Sequence, residues 1–152
     1  MTRTILLSLA VCTSALSAQQ QPLIGTWQIS FPAGMRIENG EATPLMATGV
    51  LTIVAKADSL IGELATNPSP EIPSRPPARL AARATNGGEA IFVSQSEATL
   101  SMNGDQRKAT VVSTWKLGAV SDSLVGTVER KLEGLEMGNQ EPRPVTGVRA
   151  KG

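Results

Sequence analysis

Asp58-Ser59-Leu60-Ile61-Gly62 recurs as Asp122-Ser123-Leu124-Val125-Gly126, and the similarity runs without a gap from 47–64 over 111–128. Each copy predicts strand, short turn, strand. Alternate side chains of a strand face the same side. In the second copy Val111, Ser113, Trp115 and Leu117 therefore share a face, and after the turn Leu124, Gly126 and Val128 share one. A turn centred on Ser121-Asp122 sets Leu117 opposite Gly126 and Trp115 opposite Val128. Both apolar sets then point the same way, as a one-sided core requires. The first copy, turning at Ala57-Asp58, sets Ile53 opposite Gly62 and Leu51 opposite Leu64. A slip of one residue would put one strand's apolar face in water. Gly62 and Gly126 either leave room for a bulky neighbour or let a strand bend at a barrel corner. Two copies of one hairpin imply a chain built of antiparallel hairpins.

Working outward, residues 24–31 form a first strand with Gly25, Trp27, Ile29 and Phe31 on one face. Asn39-Gly40 is a type I′ turn signal, so residues 32–48 extend the first two strands as a hairpin or form a looser flap. Symmetric pairing about that turn sets Trp27 opposite Thr52, out of parity. A bulge near Pro32, Gly34 or Pro44 supplies the one extra residue needed. Residues 67–77 carry Pro68, Pro70, Pro73, Pro76 and Pro77, a composition that lacks amide donors and favours a stiff, extended connection. Residues 78–85 alternate, with Leu80, Ala82 and Ala84 on one face. Asn86-Gly87 then turns the chain into 88–94, where Ile91 and Val93 are expected to face inward. Ala98, Leu100 and Met102 share a face of the next strand. Asn103-Gly104 leads into the long strand 107–117, residues 133–143 read as loop, and 144–151 as a last strand. Eight or nine short strands with turn chemistry between them predict an all-β protein, an antiparallel sheet closed into a barrel or a sandwich. Because nearly every connection is a short hairpin, the expected form is an antiparallel up-and-down (meander) barrel, which also removes free sheet edges.

Arg3 precedes the apolar run 5–16, which ends in Ser17 and Ala18. That order of charge, apolar core and small residues predicts a secretory signal peptide over 1–18, and a single β-barrel domain over 19–152. The run is shorter than the roughly 20 apolar residues that span a bilayer, so no membrane span is expected after cleavage. A lipoprotein box ending at Cys12 is the lesser alternative. Cys12 is the only cysteine and leaves with the signal, so the exported chain, periplasmic or secreted, is held by burial alone although its compartment permits disulfides. Roughly 130 residues suffice for one core. The formal net charge of +1 gives no basic footprint for nucleic acid.

Ile24-Gly25-Thr26-Trp27 at the first strand resembles the Gly-x-Trp signature of the calycins, the lipocalin and avidin-like barrels. Ser113-Thr114-Trp115-Lys116-Leu117 followed by Ser123-Leu124-Val125-Gly126 resembles the last hairpins of avidins. The resemblance covers most of the mature chain through short motifs. It implies an up-and-down barrel with a small-molecule cavity at one end, and an arginine of a late strand packed over the first-strand tryptophan; Arg149 is the candidate, with Arg130 its rival. The chain departs from avidins in having no Tyr and only two Trp, which argues against biotin. It lacks the disulfide and the late helix common in lipocalins.

No His is present, which excludes Ser–His and Cys–His nucleophile pairs and the commonest metal ligand. Without Cys the mature chain has no thiolate zinc site, and no phosphate-binding glycine loop or dinucleotide fingerprint occurs. Glu129, Glu133 and Glu136 read as solvated acids. Asp58 and Asp122 suit tight turns, where Asp accepts backbone hydrogen bonds. No catalytic, metal or cofactor site is therefore expected. The leading expectation is a non-enzymatic barrel that binds a small, largely apolar ligand in an interior lined by Trp27, Phe31, Leu51, Ile53, Leu64, Leu100, Met102, Trp115 and Val128. Gly25, Trp27, Gly62, Gly126 and Arg149 would serve the structure, and Ala82, Ala84, Ala98, Gly62 and Gly126 would leave interior space. The alternative is a filled barrel that contacts a protein partner, of unknown identity, through 67–77 and 32–48.

Overall fold

The computed structural model of the chain describes residues 21–39, 41–86, 88–102, 104–133 and 141–151. A single 3₁₀ turn, Gln21–Leu23, leads into β1 (Gly25–Glu38), β2 (Glu41–Lys56), β3 (Ser59–Thr66), β4 (Ala78–Asn86), β5 (Glu89–Met102), β6 (Asp105–Val120), β7 (Ser123–Glu133) and β8 (Arg143–Arg149). Each strand pairs antiparallel with the one before it, and β8 returns to β1, closing an eight-stranded barrel in chain order. The proposed signal segment 1–18, and Gly40, Gly87 and Asn103 of three turns, lie outside the described residues.

The two similar hairpins are β2–β3 and β6–β7. Leu51 pairs with Leu64 and Ile53 with Gly62; Trp115 pairs with Val128 and Leu117 with Gly126. All six of the large side chains are buried. Ala57 (φ 53°) and Ser121 (φ 56°) take the left-handed region at the first central turn position, because a turn with positive φ there matches the right-handed twist of the flanking strands. A Cβ makes that region unfavourable by roughly 1–2 kcal/mol, while glycine's extra freedom in the unfolded chain returns about half of it. Ala57→Gly and Ser121→Gly should each stabilise the protein, by up to about 1 kcal/mol, read as a higher urea midpoint at unchanged slope.

The β1–β2 hairpin carries the bulge its parity demands. Pairing is symmetric from Glu38↔Glu41 to Gly34↔Leu45, shifts between Gly34 and Pro32, and continues to Trp27↔Leu51. A second shift, between Ala82 and Ala84, was not expected, and it sets Ala84 opposite Ile91 and Thr85 opposite Ala90. Ala90, Phe92 and Ser94 are the buried face of β5, and Ile91 and Val93 are only partly covered on the other. The expectation that Ile91 and Val93 point inward is therefore corrected. Apolar residues stand on both faces of that strand, so alternation alone could not choose; pairing of Phe92 with Trp115 does.

β1 and β5 are each 14 residues long, and β2 and β6 each 16. Two strands lie between the two long hairpins on either side of the eight-strand ring, so they stand on opposite walls. Beyond Gly49, β2 pairs only with β1, and beyond Val93, β5 pairs only with β6. Both hairpins thus rise past the same rim, one on each side of the mouth. The other two connections at that end are 67–77 and the β7–β8 link. The opposite end holds the 3₁₀ turn and the short turns at 57–58, 86–89 and 121–122.

Candidate functional site

The short-turn end of the interior is sealed. Trp27 is fully buried, and its indole N–H donates to the Leu23 carbonyl at 2.9 Å, fastening the 3₁₀ turn beneath the barrel. The Arg149 guanidinium lies 4.3 Å from the Trp27 ring centroid. Its Nη1 donates to the Ile24 carbonyl at 3.0 Å and its Nη2 to the Pro22 carbonyl at 2.9 Å, while Nε meets the exposed Asp122 carboxylate at 3.3 Å. A planar fork that stacks and donates sideways explains why arginine fits here. Gly25 is required beside it: its φ is 140°, and a Cβ there would run into Arg149 Nη1. Strand β8 presents Val145 inward and Val148 to solvent, which puts Arg149 on the interior side.

Above this seal, Leu51, Ile53, Leu60, Leu64, Leu80, Phe92, Trp115, Leu117, Leu124 and Val128 form one apolar cluster. Phe31 meets Trp115 edge-on, centroids 5.7 Å apart, an arrangement aromatic quadrupoles favour. Of the nine expected lining residues, Trp27, Phe31, Leu51, Ile53, Leu64, Trp115 and Val128 are together in this cluster. The side chains of Leu100 and Met102 lie outside those described, as do those of Ala84 and Ala98. The glycines do not leave interior space as expected. A Cβ on Gly62 would sit 3.3 Å from both Leu51 Cδ1 and Leu80 Cβ, so two leucines already fill the place. A Cβ on Gly126 would overlap the Lys116 carbonyl, so this glycine lets β7 press against β6. Ala82 is partly buried against the cluster.

Toward the mouth the interior turns polar. Ser94 and Ser113 are the buried polar residues on facing strands, and Ser94 Oγ accepts the Trp115 indole N–H at 3.1 Å. Arg130 follows on the core-facing side of β7, paired with Ser113. Burial lowers its pKa from the ordinary arginine value, and the charge of Arg75 lowers it further. Over this end, Ile72 of the proline-rich loop is 3% exposed and belongs to the core cluster. It is held by a small turn: Ser69 N–H donates to the Ile72 carbonyl at 2.8 Å, and Ile72 N–H donates to Ser69 O and Oγ, both at 3.1 Å. Asn67 N–H donates to the Thr48 carbonyl at 2.9 Å, tying the loop to β2.

Sequence reasoning missed Phe92, Ile72 and the Ser94–Ser113–Arg130 layer. Symmetric pairing about Asn103-Gly104, carried down to Trp115, would have found Phe92. Ile72 had no such signal, since one isoleucine among prolines carries no period.

Two depressions stand out among the described residues, and both lie on the outer wall. One, of about 410 Å³, is bounded by Ile91, Lys116, Val125 and Thr127. The other, of about 540 Å³, is bounded by Gln28, Ser30, Val50, Thr146 and Val148 and floored by Gly49 and Gly147. Glu129 and Glu133 are exposed; Glu136 lies outside the described residues. Among the described residues no group of three His, Cys, Asp or Glu could hold a metal ion. No family model matches the chain, and neither a curated protein nor a solved structure matches it with significance.

Proposed function

We propose that the protein is an exported, non-enzymatic barrel of calycin-like type that takes a small, largely apolar ligand into the mouth end of its interior. The observation that carries this is the difference between the two ends. One is locked by Trp27, Arg149 and the 3₁₀ turn. At the other, among the described residues, Ile72 of a loop outside the β ladder covers the core. Withdrawing Ile72 forfeits the burial of one side chain, about 1.5–3 kcal/mol, and breaks no strand pairing. A ligand that fills the same place restores that burial. The tryptophan–arginine seal supports the calycin-like assignment, and the apolar run 5–16 behind Arg3 supports export.

Titration of the purified protein with an apolar fluorescent probe tests the reading. Ile72→Ala should bind more tightly than wild type and Ile72→Trp more weakly, with Trp115 emission changing on binding. Absence of saturable binding to wild type and Ile72→Ala alike would sink it.

The second reading, a filled barrel that contacts another protein, is favoured by the packed cluster and by the outer position of both depressions. A specific partner recovered from the native envelope fraction, with no small molecule released on denaturation, would select it.

A further inference from the structure

We infer that residues 94–102 of β5 are an assembly edge. A second copy of this chain adds its own β5 there, antiparallel, and the two long hairpins become one sheet of order β6–β5–β5–β6 across a two-fold axis. The inference goes beyond the ligand-binding reading and does not depend on it.

Where the long hairpins rise past the rim, each of their strands has one edge without a neighbour. β1 pairs with β8 only from Trp27 to Ser30, and β2 with β3 only as far as Gly49. β5 pairs with β4 only as far as Val93, and β6 with β7 only as far as Thr110. An open edge is a template for another strand unless proline, a bulge, charge or a covering segment guards it. Three of these edges carry such guards. That of β1 contains Pro32, which has no N–H, and the register shift beside it. That of β2 contains Pro44, and its Thr48 carbonyl already accepts the Asn67 N–H. That of β6 is the short run 105–109, in which Asp105, Arg107 and Lys108 are charged. The edge of β5 is longer and barer. Its sequence, Ser94-Gln95-Ser96-Glu97-Ala98-Thr99-Leu100-Ser101-Met102, has no proline and only Glu97 as a charge. Its pairing with β6 runs from Glu89 to Met102 without a shift. Gln95, Ser96 and Glu97 are exposed in succession, so neither face of the strand is covered there. Among the described residues, the backbone hydrogen bonds of the loop 67–77 run to Thr48 and within the loop.

The run complements its own copy. A two-fold contact sets residue i of one chain opposite j of the other, and j opposite i. Centred on Ala98, the middle of the run, it sets Ala98 opposite itself, Glu97 opposite Thr99, Ser96 opposite Leu100, Gln95 opposite Ser101 and Ser94 opposite Met102. No charge meets its own kind. A register centred on Glu97 would set two carboxylates face to face, which is destabilising. Thr99 pairs on its other side with Lys108. Each Glu97 therefore stands in line with the lysine of the other copy, two strand spacings or roughly 10 Å away. That pattern of charge selects the register more than it adds affinity. The full run exchanges about eight to ten backbone hydrogen bonds. A contact one strand wide is small beside the standard interface of about 800 Å² per partner, so the dimer should dissociate on dilution through the micromolar range.

The test reads oligomeric state and register in the full chain carrying Cys12→Ser, which leaves no other thiol. Sedimentation velocity should show a dimer that gives way to monomer on dilution. A98K and A98E should each be monomeric at concentrations where the parent is dimeric, because like charges would meet across the axis. Mixing the two variants should restore a dimer with one chain of each. A98C should form a disulfide-linked dimer under mild oxidation, since opposed residues of an antiparallel pair lie about 4.5–5.5 Å apart at Cα, within the span of a disulfide. Q95C, whose copy stands about 20 Å away along the strand, should link to itself at least about tenfold more slowly, yet link readily to S101C. If lysine or glutamate at position 98 unfolds the hairpin, the relative linking rates of the cysteine variants decide. A parent chain monomeric at every concentration, with or without a strand of another protein on this edge, would overturn the inference. So would dimers that survive A98K with its fold intact, or equal self-linking of A98C and Q95C, either of which puts the contact elsewhere.

Discussion

A chain truncated before Arg143 should fail to fold into a soluble monomer. Strand β8 pairs with β7 from Val128↔Arg143 to Ser123↔Val148 and with β1 from Ser30↔Thr146 to Trp27↔Arg149. Removing it strips one whole wall from a closed ring and leaves two unpaired edges, which are templates for association. It also removes Val145, fully buried, and the Arg149 cap on Trp27. Net stabilities of single domains are only about 5–15 kcal/mol, and the loss of a strand with its ladder exhausts most of that range. Size-exclusion chromatography should show aggregation, and far-UV circular dichroism the loss of a cooperative melt. A truncated monomer melting at the wild-type temperature would mean that β8 is dispensable to the barrel.

Trp27→Ala should be the most damaging single substitution among the described residues, at about 3–5 kcal/mol, or on the order of 10–20 °C in melting temperature. The indole is fully buried, and its N–H satisfies the Leu23 carbonyl. Alanine leaves a cavity at the base of the barrel, frees the 3₁₀ turn and removes the surface on which Arg149 rests. Arg149→Ala should cost much less, about 0.5–2 kcal/mol for a stacked cation. Its ion pair with the exposed Asp122 adds little, being screened by water. If the two variants melt together, the tryptophan contributes through the arginine alone and the cavity argument fails.

The hairpins were legible because parity is unforgiving. Once Trp115 and Val128 had to share a face, only one register of β6–β7 remained, and the same logic fixed Leu51 against Leu64 and called for a bulge near Pro32. The bulge at Arg83 was not legible. Alanines flank it, and alanine suits either face, so nothing in 78–85 recorded the shift. Its consequence was the inverted expectation for Ile91 and Val93. Gly62 and Gly126 were recognised as special, but a glycine in sequence does not distinguish a space from a close approach; neighbouring bulk decides, and here Leu80 and the Lys116 carbonyl occupy what looked vacant. The mouth was the part least legible in sequence. Arg130 enters there only as a rival to Arg149, and its place on the inward face, opposite Ser113, emerges from the structure. Its burial depends on a loop whose path no periodicity predicts.

The matching lengths of β1 with β5 and β2 with β6, and the placing of the two similar hairpins on opposite walls, bear on ancestry. A half turn about the barrel axis carries strands one to four onto strands five to eight. Trp27 opposite Leu51 then answers to Phe92 opposite Trp115, and Leu80 opposite Gly62 to Val145 opposite Gly126. A duplicated four-stranded half leaves this pattern. Its seam is visible too: where the β4–β5 turn joins one half to the next by peptide bonds, the counterpart between β8 and β1 is joined by hydrogen bonds such as Ala150 N–H to the Thr26 carbonyl. A circular permutant opened at Gly88 and sealed across that seam would retrace the same ring. The bulge at Ala33 has no counterpart in the β5–β6 hairpin, whose pairing runs without a shift, and it is what sets Trp27 opposite Leu51 at the floor of the barrel.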